Sequence, residues 1–124
     1  MLESLALFET RSAELSAEST KALIQALARI RARPDWLVVV TGHADARGEA
    51  AHNLHLSQQR ARVVGDWLQR MGDIASRCLV LQGVADRQPV AGNDSLQGRL
   101  ANRRVDIRLV PYCTPGNDPP TPGA

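Results

Sequence analysis

The 124 residues carry 15 basic and 13 acidic side chains, a formal net charge of +2, with 44% hydrophobic and 23% charged residues. That size and apolar fraction close one core and leave no room for a second catalytic domain. The low net charge and the few aromatics (Phe8, Trp36, Trp67, Tyr112) exclude a polybasic or base-stacking reader of nucleic acid.

The first apolar run, Leu5 to Phe8, reads as a short strand. Met1 leads into it within a few residues, as expected of a domain cut from a longer protein; no secretory signal precedes it, and no run approaches the ~18 apolar residues of a membrane span. Ser16 stands as a helix N-cap, and Ala22, Leu23, Ala26, Leu27 and Ile30 follow at helical spacing until Pro34. Trp36 to Thr41, a β-branched run ending at Gly42, predicts a strand buried on both faces. After a polar loop from His43 to Leu56, Ser57 reads as the cap of a second helix. Its Ala61, Val64, Trp67, Leu68 and Met71 share a face, and Gly72 is its stop. Cys78 to Gly83 is a third strand, and Val84 to Asp94 is turn-rich and leads to a short helical segment around Ser95 to Ala101. In the fourth strand Val105, Ile107 and Leu109 alternate with Arg104, Asp106 and Arg108. These elements predict an α+β two-layer sandwich with helices on one sheet face, over residues 1–110. Residues 111–124, rich in Pro, Gly and Thr, read as a flexible tail. Cys78 and Cys113 are too few for a disulfide scaffold and lack metal-ligand spacing, so they are one bridge or two inert thiols.

The unusual choices concentrate in Thr41 to Arg60, TGHADARGEAAHNLHLSQQR. Asp45 follows directly on a buried strand, where sheets of this kind place ligand-contacting groups. Arg60, three residues after the expected cap, would face an unfavourable helix dipole where Glu would complete a capping box, which points to a ligand or a compensating carboxylate. The bland alternatives are an Asp45–Arg60 pair and a solvated Arg60. His43, His52 and His55 near Asp45 invite a metal reading, but three histidines on a polar loop without HExxH are more often ordinary surface residues. No cofactor signature is present.

Three motifs, the GHxDxxG loop at 42–48, Asn53-x-x-Leu56-Ser57-x-x-Arg60-Ala61 and Asn102-Arg103-Arg104-Val105, occur in the order and spacing of the OmpA-like C-terminal domain. Residues from Phe8 to Val110 resemble this module of outer-membrane proteins, peptidoglycan-associated lipoproteins and flagellar stator proteins. One departure is Ala85, where the family usually has a second glycine. The resemblance implies a mixed four-stranded sheet of order 1-4-2-3 with strand 4 antiparallel and two long helices on one face. It also implies a noncatalytic receptor in the periplasm of a Gram-negative bacterium, on a parent protein held at the membrane by a segment absent here. The implied ligand is the diaminopimelate of the peptidoglycan stem. Asp45 would take its ammonium, Arg60 its carboxylate, and Asn53 would order the loop and contact the ligand's polar groups.

Strand parity gives Arg103 the side of Val105 and Ile107 and Arg104 the solvent side; if strand 4 runs antiparallel to strand 2, as the resemblance implies, Arg103 enters beside the Asp45 end and is the expected ligand neighbour. In the order that the resemblance implies, the start of strand 3 and the end of strand 4 share a sheet edge. A Cys78–Cys113 bridge is then geometrically allowed, and the periplasm is oxidising; the alternative is a buried thiol and a disordered one. Two other functions compete: a protein-interaction module of an envelope or secretion assembly, and a metal-dependent cell-wall hydrolase using His43, Asp45, His52 and His55.

Overall fold

The computed structural model describes residues 2–9, 12–44, 50–84, 104–111 and 113. The chain runs β1 (Leu2–Ala6), α1 (Ala17–Arg31), β2 (Leu37–Gly42), α2 (Ala50–Gly72), a single 3-10 turn (Ser76–Cys78), β3 (Leu79–Gly83) and β4 (Arg104–Val110). The strands form one sheet of order β1-β4-β2-β3. β4 is antiparallel to both β1 and β2, and β3 is parallel to β2. The order is the one expected from the resemblance. The turn-rich stretch and short helical segment read between Val84 and Ala101 lie outside the described residues, apart from Val84.

The core follows from the two periodicities. On the sheet, Val38, Val40, Val105, Ile107 and Leu109 alternate toward the helices and are buried. From α1 come Leu23, Ala26, Leu27 and Ile30, and from α2 Ala61, Val64, Trp67 and Leu68, one stripe on each helix. Ser16 caps α1 as its position predicts: its side chain accepts the Ser19 N–H at 3.1 Å, a contact that contributes about 1 kcal/mol. The Ser19 hydroxyl in turn donates to the Leu7 carbonyl at 2.5 Å, so the start of α1 holds the segment that leaves β1.

Several boundaries differ from the sequence reading. β1 ends at Ala6, because its pairing with β4 stops at Ala6 opposite Arg104. Leu7 and Phe8 instead turn into the core beyond the strand. β2 is interior, between β4 and β3, yet on its second face only Val39 is buried, while Leu37 and Thr41 are half-exposed. β3 starts one residue late, since Cys78 closes the 3-10 turn. Met71, expected on the buried stripe, is exposed; α2 makes its last approach to α1 at Gly72, where an added Cβ would overlap the Leu27 side chain. Gly72 is thus a packing glycine. The left-handed residue that ends the helix is Asp73, at φ 55°, whose N–H donates to the Gln69 carbonyl.

The largest correction concerns α2, which begins at Ala50. Ser57 lies in its third turn and donates its hydroxyl back to the Leu54 carbonyl at 2.7 Å, the interior use of a serine. Residues 50–56 contain no Gly or Pro to break the helix, and Ala and Leu favour it. Arg60 therefore sits nearly three turns inside the helix. The dipole argument for it does not hold.

The described chain continues past residue 110. Cys78 and Cys113 form a disulfide with Cα atoms 5.5 Å apart, and the Cys113 N–H donates to the Asp35 carbonyl at 2.6 Å. The bridge joins the start of β3 to the chain leaving β4. Of the expected tail, Pro111 and Cys113 are described; the rest lies outside the described residues.

Candidate functional site

Two glycines set the distance between α2 and the sheet. Gly42 and Gly83 are register partners at the ends of β2 and β3. A Cβ on Gly42 would overlap the Ser57 carbonyl, and one on Gly83 would overlap the Gln58 N–H and the Ser57 hydroxyl. The helix backbone therefore rests directly on the strand ends, and Ser57 has no exposed surface. One turn further along, Arg60 is carried into the interior.

Arg60 is the largest fully buried side chain among the described residues. Its Nε donates to the Ser12 carbonyl at 2.9 Å, Nη1 to the His43 carbonyl at 2.8 Å and Nη2 to the Glu9 carbonyl at 3.0 Å. The guanidinium carbon also lies 5.3 Å from the centroid of the Phe8 ring, over its electron-rich face. A planar fork with donors on three sides binds the segment after β1, the end of β2 and α2 into one unit, which an ammonium could not span. These acceptors are main-chain groups, so nothing in the side-chain sequence announced them. Asn53, in the first turn of α2, is also buried.

His43 adjoins this clamp on the sheet. Its N–H donates to the Arg104 carbonyl at 2.9 Å, and its Nε2 lies 3.0 Å from Asp106 Oδ2. Asp106 Oδ1 accepts the Ser4 hydroxyl at 2.7 Å and Arg104 Nε at 3.1 Å. Burial pushes the Asp106 carboxyl upward, but the His43, Ser4 and Arg104 bonds and the Arg104 charge outweigh it and bring the pKa down to about 2. This cluster corrects the expectation that Arg104 and Asp106 face solvent: Arg104 is buried and Asp106 half-buried. Parity gave their side of the sheet correctly. What it did not show is that Ser4 on β1 and His43 beyond β2 flank Asp106 and close that face with hydrogen bonds. Arg108, further along, is exposed.

Of the residues singled out from sequence, Arg60 and His43 are brought together, and Asn53 lies on the same helix as Arg60. Asp45, Gly48, Ala85 and Arg103 lie outside the described residues. The histidines do not converge: His43 is buried against Asp106, while His52 and His55 are exposed on α2. Among the described residues no three His, Cys, Asp or Glu side chains form a metal-binding group, and no helix there is long and apolar enough to cross a membrane.

The sequence profile of the OmpA family matches residues 7–103. The probable lipoprotein YiaD of Escherichia coli is 36% identical over 104 residues, 84% of this chain and 47% of YiaD. The peptidoglycan-binding protein ArfA of Mycobacterium tuberculosis is 37% identical over 79 residues, 64% of this chain and 24% of ArfA. The chain thus spans under half the length of either relative. Among solved structures, the cell wall anchor of the T6SS from Pseudomonas aeruginosa superposes with a TM-score of 0.76 at 33% identity, covering 90% of this chain and 80% of that one. With the profile running from the exit of β1 to the entry of β4, and the strand order and the Arg60 helix in place, the chain belongs to the OmpA family.

Proposed function

We propose that this OmpA-family domain binds peptidoglycan noncovalently through the diaminopimelate of its stem peptide, without turnover, and so anchors an envelope protein to the cell wall. The observation that carries the reading is the Arg60 clamp: a permanently charged guanidinium is oriented by two carbonyls of the segment after β1 and by the His43 carbonyl at the end of β2, two residues before Asp45. The free end of diaminopimelate is an ammonium beside a carboxylate. Asp45 complements the first, Arg60 the second and Asn53 contacts the polar groups, in the roles that the family resemblance implies, with Arg103 as the neighbour that strand parity favours. The peptidoglycan-binding name of ArfA and the cell-wall-anchor description of the Pseudomonas aeruginosa structure support the partner. The lipoprotein name of YiaD supports a periplasmic domain on a membrane-associated parent.

The test compares binding of the chain to sacculi whose stems carry diaminopimelate and to sacculi whose stems carry lysine, which lacks the second carboxylate. Retention on the first and not the second is expected. Asp45→Ala should weaken retention by on the order of 1.5–3 kcal/mol, the range of a hydrogen bond to a charged group. Arg60→Lys keeps the charge but not the fork and should also weaken it. Equal retention on both sacculi, or unchanged binding by Asp45→Ala, refutes the assignment.

A further inference from the structure

We propose that His43 and Asp106 act as a positioning pair for Arg60, so that β4 sets the aim of the guanidinium through the His43 carbonyl. The inference rests on the peptidoglycan reading for its functional consequence and on geometry for its mechanism. The His43 carbonyl that accepts Arg60 Nη1 is fixed from both sides. On one, the His43 N–H is bonded to the Arg104 carbonyl; on the other, the ring is tethered to Asp106. Asp106 is itself immobilised, because its second oxygen holds both the Ser4 hydroxyl and Arg104 Nε.

The tether is a single bond. Asp106, as a carboxylate, accepts from Nε2, so Nε2 carries the proton of this bond. Nδ1 is buried and has no hydrogen-bond partner. No hydrogen bond on the other side of the ring therefore replaces the Asp106 bond when it is lost. A buried imidazole with half its polar capacity unmet is an arrangement that stability alone disfavours, and its evident service is to fix the backbone from which the Asp45 segment departs. The ring's own location follows from parity: residue 43 shares the outward side of β2 with Val39 and Thr41, and Thr41 is the register partner of Asp106.

Three variants test the pair: Asp106→Asn, His43→Leu and His43→Gln, whose amide nitrogen takes the place of Nε2. Each is checked for a folded circular dichroism spectrum, then titrated with a soluble diaminopimelate-containing stem tetrapeptide, and the Arg60 Nε–H resonance is recorded. Asp106→Asn and His43→Leu should bind about tenfold more weakly and shift the Arg60 resonance; His43→Gln should restore both to within about twofold of the parent. In the parent, nitrogen shifts of His43 should report a proton on Nε2. Parent-like affinity in both Asp106→Asn and His43→Leu overturns the proposal, and so does an equal loss in His43→Gln and His43→Leu. Should Asp106→Asn fail to fold, the His43→Leu and His43→Gln pair decides. If the parent itself does not bind the tetrapeptide, the peptidoglycan reading fails separately. The Arg60 resonance then decides the positioning: a shift in His43→Leu that His43→Gln reverses supports it, and no shift overturns it.

Discussion

Replacing Cys78 and Cys113 together by serine should cost the chain a large part of its stability while leaving the candidate site intact. The bridge closes a loop of 35 residues in sequence. Chain-entropy reasoning for a loop of that length gives about 4 kcal/mol, with measured bridges more often at about 2–4. Against a total of about 5–15 kcal/mol for a domain, that is a major share. The location explains why so much rests on it. Cys78 sits at the start of β3, which lies at one edge of the sheet, and Cys113 holds the chain beyond β4 by the bridge and by its bond to the Asp35 carbonyl. Urea unfolding monitored by Trp67 and Trp36 fluorescence measures the effect. At about 2 kcal/mol per molar, the midpoint should fall by about 1–2 M in the double variant and by a similar amount when the parent is reduced. Thiol titration of the unfolded, unreduced parent should find no free thiol. Sacculus binding should be unchanged in native buffer, because the bridge lies at the β3-start end and Arg60 at the β2-exit end of the sheet. A midpoint that does not move, or binding lost in the still-folded double variant, refutes the reasoning.

Gly42→Ala should destabilise by about 3 kcal/mol or more, because the new methyl meets helix backbone that cannot rotate away; urea unfolding measures it, and Gly83→Ala should behave alike. Arg60→Ala should cost about 3–5 kcal/mol by stripping the partner from three carbonyls, so its thermal transition has to be measured before its binding is interpreted. Ser16→Ala should cost about 1 kcal/mol in the same assay. Asp106 gives a pH signature. Its folded pKa of about 2 lies below the usual carboxylate value, so its stabilisation, about 2 kcal/mol, is complete above about pH 4 and is lost as the pH falls toward 2. Denaturant midpoints measured from pH 5 to 2 should drop more steeply in the parent than in Asp106→Asn, and parallel curves would contradict the cause given for the shift.

The layers of the fold were legible because they rest on side-chain period. Leu23, Ala26, Leu27 and Ile30 on α1 and Val105, Ile107 and Leu109 on β4 repeat at 3.6 and 2 residues, and burial follows. The strand order was not in the period; it came with the motifs of the OmpA-like resemblance. Illegible features had physical reasons of their own. A serine caps a helix or bonds back within it with the same hydroxyl, so Ser57 could not by itself mark the start of α2. Gly72 reads as a stop by residue type, whereas its role is set by Leu27, forty-five positions away in sequence. Parity placed Asp106 on the outward side of β4, but the Ser4 and His43 groups that close that side come from distant segments.

Arg60 shows how a residue can be singled out for a reason that fails and still be the unusual one. Its supposed anomaly was a cation in the first turn of a helix, a matter of a few tenths of a kcal/mol up to about 1. In the folded chain the anomaly is complete burial of a group that cannot lose its charge, where removal from water costs several kcal/mol. Three main-chain carbonyls and the Phe8 ring offset that cost, and they come from segments that the clamp itself joins. An apolar residue at position 60 would fill the interior without needing them. A fold that builds three carbonyls around a guanidinium holds a positive charge at the exit of β2. Under the peptidoglycan reading that charge is placed for a carboxylate, with Asp45 two residues past the clamp to receive the ammonium beside it.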